Sequence, residues 1–89
     1  MPVRGGRKSL HTPGYDLILT LLREARLSAG LSQTELATRL RRPQNYVSKC
    51  ELGERRVDVL EWLEFLDACD SRPTTFLRRM RKAMPRLRL

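Results

Sequence analysis

The sequence has no apolar run near the roughly 18 residues that a membrane span requires. Its first residues set charge beside Gly5-Gly6 rather than ahead of an apolar stretch, so no signal peptide is expected either. Both absences favour a cytoplasmic protein, associated with the nucleoid if it binds DNA. Histidine is nearly missing: His11 is the only one, and no Ser/His/Asp set or glycine-rich phosphate loop accompanies it. Cys50 and Cys69 lack C-x-x-C spacing and fall short of the roughly four ligands of a zinc site, so they read as buried free thiols. No enzyme, metal or cofactor is therefore expected. Acidic residues are also scarce, with 10 Asp+Glu against 18 Lys+Arg and a net charge of +8.

That excess of base suits a polyanionic partner, since neutralising phosphates releases counterions. The charge is unevenly spread. Residues 1–13 carry +3, residues 14–57 carry +3, residues 58–70 carry −5 and residues 71–89 carry +7. The five acids Asp58, Glu61, Glu64, Asp67 and Asp70 recur every three residues and drift slowly around one helical face. That face reads as solvated and turned away from nucleic acid, with an acidic docking surface as the alternative.

With 89 residues, the chain is one domain with a thin core. Residues 1–13 read as a flexible basic arm, residues 14–84 as the folded domain and residues 85–89 as a basic tail. Arg4, Arg7 and Lys8 either follow a groove as an arm or form an inert tail. From Gly14 to Gly30, Ile18, Leu21, Leu22, Ala25 and Ala29 keep helical spacing. Ser32-Gln33-Thr34-Glu35 is a capping box opening a second helix to about Arg41, with Leu31 as its staple and Leu36, Ala37 and Leu40 inward. Pro43 breaks it and starts a third helix over Gln44–Leu52, with Val47 and Cys50 inward and Gly53 ending it. Val57 plugs inward from the loop that follows. Asp58-Val59-Leu60-Glu61 is a second capping box. Its helix runs to about Cys69, with Val59, Trp62/Leu63, Leu66 and Cys69 inward and Phe65 exposed to a dimer contact. A fifth helix spans about Thr74 to Met84. Its apolar residues Phe76, Leu77 and Met80 exceed the needs of a four-helix core, which makes it the expected dimerisation element. No alternation suggests a strand.

A capped helix of about nine residues, a tight break and a short helix with a polar, non-acidic outer face define a helix-turn-helix. Amides at the front of the second helix are the right chemistry for a major groove, because Gln or Asn can pair with adenine N6/N7 and Lys with guanine O6/N7. LSQTELATRL followed by RRPQNYVSKCELGERRVDVLEWLEFL resembles the Cro/phage-repressor, or xenobiotic-response-element, type of helix-turn-helix over roughly Ile18 to Cys69. The motifs are L-S-Q-x-x-L-A and V-S-x-x-E-x-G. The resemblance implies a five-helix, all-α, lambda-repressor-like domain. It implies base contacts from Gln44, Asn45, Ser48 and Lys49, and sugar-phosphate contacts from Gln33, Arg42 and Tyr46. It also implies an ion pair between Arg26 and Glu51, and close helix packing at Ala37. Arg41-Arg42-Pro43 departs from the Gly-Val-Ser turn of many members, and Cys50 stands where many have an aliphatic residue. The expected function is a transcriptional regulator, a repressor, binding a palindromic operator on double-stranded DNA as a homodimer. The alternatives are an antitoxin that also clasps a toxin, and a protein-interaction module of the same fold.

Overall fold

The computed structural model describes residues 12–86. Most of the expected arm, with Arg4, Arg7 and Lys8, and residues 87–89 of the tail lie outside them. Five helices follow in order: α1 (Pro13–Ser28), α2 (Gln33–Leu40), α3 (Gln44–Leu52), α4 (Val59–Ala68) and α5 (Pro73–Ala83), ending in a 3-10 turn at Met84–Arg86. No strand occurs among the described residues, and no helix there is long and apolar enough to cross a membrane.

Local chemistry sets the helix starts. The Thr12 hydroxyl accepts from the Tyr15 N–H at 3.2 Å, and Pro13, expected to end the arm, is instead the first residue of α1. Both capping boxes are closed. The Glu35 N–H donates to Ser32 Oγ at 3.0 Å while Glu35 Oε1 accepts from the Ser32 N–H at 2.8 Å. Asp58 and Glu61 exchange the same two bonds at 2.8 and 3.0 Å.

The first four helices end alike. A backbone N–H beyond each helix reaches back to a carbonyl inside it: Leu31 to Arg26 at 3.2 Å, Arg42 to Ala37 at 3.0 Å, Glu54 to Lys49 at 3.0 Å and Ser71 to Leu66 at 2.9 Å. This closure needs one residue in the left-handed region. Gly30 and Gly53 supply it twice, at φ 74° and 78°; Arg41 and Asp70 supply it at φ 57° and 54°. Arg41 therefore does at the helix-turn-helix elbow what glycine does elsewhere, at a steric cost of roughly 1–2 kcal/mol. Arg41→Gly is expected to raise stability by about 0.5–1 kcal/mol, net of the added freedom of the unfolded chain. Thermal unfolding would read this as a rise of a few degrees; a fall would contradict the account.

The core gathers where α1, α2, α3 and α4 meet. Leu22, Leu36, Val47, Cys50, Phe65 and Leu66 are fully buried, and Ala37 lies between α2 and its neighbours. Both thiols are free and buried; burial raises the Cys50 pKa and lifts that of Cys69 to about 11. Trp62 packs edge-on against Phe76 with ring centroids 5.2 Å apart, and Val57 packs against the core.

Four expectations about facing are corrected. Phe65, expected at a dimer contact, is only 1% exposed, whereas Val59, expected inward, is 73% exposed. Leu63 stays exposed beside a half-buried Trp62, and Ala29 is exposed at the end of α1. Tyr15 and Leu19 are buried in addition to the expected α1 stripe, and the Tyr15 hydroxyl accepts from the Val57 N–H at 3.0 Å.

Candidate nucleic-acid interface

Four side chains link the interior to the front of α3. Arg26 is buried on α1, and its Nε lies 2.7 Å from Glu51 Oε2 while its Nη2 donates to Glu51 Oε1 at 3.0 Å. Arg26 Nη1 donates to the Leu31 carbonyl at 2.9 Å, which ties the pair to the α1–α2 turn. The hydrogen bond to Glu51 raises the Arg26 pKa against the opposing effect of burial, so the guanidinium stays charged. Gln33, at the start of α2, donates from Nε2 to Glu51 Oε1 at 3.0 Å. Gln44, the first residue of α3, donates from Nε2 to Gln33 Oε1 at 2.9 Å.

This chain has a direction. A carboxylate held in an ion pair only accepts, so Gln33 must turn its amide N–H₂ toward Glu51. Its carbonyl oxygen then faces Gln44, which must answer with an N–H. Gln44 is left with a free carbonyl oxygen and a second N–H, both on an exposed side chain.

The rest of the front of α3 is open. Asn45 and Lys49 are exposed and Ser48 is half-buried. Pro43 precedes the helix and offers no capping side chain, in contrast to Thr12, Ser32 and Asp58 at α1, α2 and α4. The first N–H groups of α3 thus face outward with a positive helix end behind them, an arrangement suited to an anion.

A second cluster sits beside it. Tyr46 is half-buried under two guanidinium groups, those of Arg42 at 4.5 Å and Arg55 at 4.9 Å from its ring centroid. Burial, ahead of the neighbouring charges, pushes the Tyr46 pKa up to about 12, so its hydroxyl remains a neutral donor. Arg55 is locked by Glu61 at 2.7 Å, and the hydrogen bond from Arg55 holds the Glu61 carboxyl down at about 2. Arg42 is held loosely, 3.9 Å from Glu64.

A helix-turn-helix domain family model matches residues 18–77. The solved structure of an XRE-family like protein from Pseudomonas syringae pv. tomato str. DC3000 is 45% identical, covers 86% of this chain and 93% of its own, and superposes with a TM-score of 0.76. The chain belongs to the XRE-type helix-turn-helix DNA-binding proteins. No curated protein matches the sequence.

Within this XRE domain, α2 and α3 form the helix-turn-helix and Arg41–Pro43 its turn. Gln33, Gln44, Asn45, Lys49, Arg42 and Tyr46 lie along α2, the turn and α3, and Arg26 and Glu51 are paired behind them. The acidic row proves less idle than its spacing suggested. Glu61, Glu64 and Asp70 pair with Arg55, Arg42 and Arg39, the last at 3.8 Å, and Asp58 caps α4. Asp67 has no such partner among the described residues. Arg55 was missed as a site residue; the signal was a base six positions ahead of a capping-box glutamate. The Gln33–Gln44 and Gln33–Glu51 bonds were also missed, since they join residues 11 and 18 apart in sequence across different helices.

Proposed function

We propose that the protein is a transcriptional repressor that binds a palindromic operator as a homodimer, laying α3 of each copy in a major groove. The observation that carries this reading is the polarity of the amide chain running from Glu51 through Gln33 to Gln44. A free carbonyl oxygen beside a free N–H is the complement of adenine, whose N6 donates and N7 accepts in the major groove. Gln44 therefore reads adenine, and Asn45, Ser48 and Lys49 reach neighbouring base edges. Gln33, Arg42 and Tyr46 hold the backbone phosphates, helped by the uncapped start of α3. A single short helix contacts too few bases for selective binding, so two half-sites about 34 Å apart complete the recognition. Repression by occupancy asks for nothing beyond that binding.

Selection of bound duplexes from a random pool, followed by sequencing, tests the reading. A palindromic site with an adenine under Gln44 is expected; salt-sensitive binding without sequence enrichment would overturn it. Gln44→Ala should relax choice at one base position and cost roughly 1–3 kcal/mol on the selected site. Gln33→Ala should weaken binding to all duplexes and also loosen that same position, because the Gln44 amide would then be free to turn over.

A further inference from the structure

The stretch 71–89 is rich in bases and holds no acid. Within it, α5 carries Arg78, Arg79, Arg81 and Lys82. Arg79 pairs with Glu24 of α1 at 2.8 Å. The other three are exposed and have no ion-pair partner among the described residues. Helical spacing sets them in one row, because Arg81 and Lys82 follow Arg78 by three and four residues. Phe76 and Met80 hold the opposite side of α5, packed on the core. The row therefore points out of the domain. Neighbouring like charges repel, and α5 has no acid to offset them. The helix dipole favours Arg81 and Lys82 in the last turn, but it does not reach Arg78 in the middle of the helix.

α1 separates this row from α3. Arg26 of α1 reaches Glu51 of α3, whereas Glu24 reaches Arg79 of α5. Two residues along a helix turn its surface by about 200°, so α3 and α5 flank α1 on opposite sides. The outer faces of α3 and α5 thus look away from each other. A straight duplex lying along α3 does not meet the row.

We infer that Arg78, Arg81 and Lys82 bind the phosphate backbone of a second DNA duplex, so that one protein molecule joins two segments. The charge is complementary to the polyanion that this family binds. Arg78 to Lys82 covers about 6 Å of helix axis, and one strand of a duplex presents a phosphate about every 3.4 Å along its own axis. Such a contact carries no base preference. A membrane surface suits the row less well. A helix lying on lipid buries its apolar side there, and the Phe76 and Met80 side of α5 is held within the domain. The inference goes beyond operator recognition and needs neither a palindrome nor repression.

Energy transfer between two duplexes of unrelated sequence, one carrying a donor dye and the other an acceptor, tests it with the full chain held below the duplex concentration. The unaltered protein should bring the dyes together. Arg78→Gln/Arg81→Gln/Lys82→Gln should weaken bridging by about tenfold or more, and its dependence on log[salt] should lose a slope of about 2.7, or 0.9 per base removed. Arg78→Gln alone should weaken bridging, whereas Arg79→Gln, which removes the same charge from a paired position, should leave it near the parent. All four positions are exposed, and circular dichroism would verify that each variant keeps its helices. No transfer from the unaltered protein would overturn the inference. So would transfer that the triple variant retains, which would assign bridging to the two α3 helices of a dimer. An equal loss in Arg79→Gln would make net charge the cause, and row-dependent binding of anionic vesicles without uptake of a second duplex would make the row a membrane contact; either result would also overturn it. Bridging without sequence enrichment in the random-pool selection would instead remove the operator reading and leave the row standing.

Discussion

Phe65→Ala should destabilise the domain by about 3–5 kcal/mol, the range for emptying an aromatic site in a packed core. The ring is among the largest fully buried groups and lies with Leu22, Leu36, Val47 and Leu66 in the centre of the fold. A domain of this size has only about 5–15 kcal/mol to lose. Urea unfolding should show the midpoint falling far while Leu27→Ala, at a 55% exposed position of α1, stays within about 0.5 kcal/mol of the parent. Equal small effects from the two substitutions would mean that Phe65 is not the centre of the core.

Glu51→Ala should cost a comparable 3–5 kcal/mol or so, for an electrostatic reason. It leaves the Arg26 guanidinium charged, buried and without its carboxylate partner, with only the Leu31 carbonyl to accept from it. The loss should be recoverable: Arg26→Met together with Glu51→Leu removes both charges, and replacing a buried pair by apolar residues is often neutral. Binding should not recover with stability. Without the Glu51 carboxylate nothing orients the Gln33 amide, so the double variant should fold well and yet lose its preference at the base under Gln44. Unfolding curves and selected-site affinities measured on the same samples separate the two effects. Retained base preference in a stable double variant would show that the amide chain does not set recognition.

These two residues also mark what could be read in the sequence and what could not. The limits of α3 were legible because Pro43 and Gly53 bracket it with opposite backbone demands. The two capping boxes were legible because each is a local matter of three residues. Leu36, Ala37, Val47 and Cys50 were legible because α2 and α3 each have one apolar stripe. The facing of α4 was not. Val59, Leu60, Trp62, Leu63, Phe65 and Leu66 spread over more than half of that helix's circumference, so periodicity offered no single inward side. Packing against α2 and α1 chose Phe65 and Leu66 and left Val59 outside. Arg26 and Glu51 were expected to pair through family resemblance. The amide bonds continuing from them depend on how α2 and α3 cross, which no local pattern encodes. Arg41 shows a third case: its turn was expected from Pro43, but its left-handed backbone was hidden by a residue type that seldom adopts it.

The two sulfurs give the molecule a built-in clock. Cys50 lines the back of α3 and Cys69 follows α4, both out of reach of solvent and both kept protonated at neutral pH. An alkylating reagent attacks a thiolate it can touch, so it must wait for the helices to part. The pace at which each sulfur is modified thus counts how often its own region breathes, and a difference between the two would tell whether the reading head loosens before the rest.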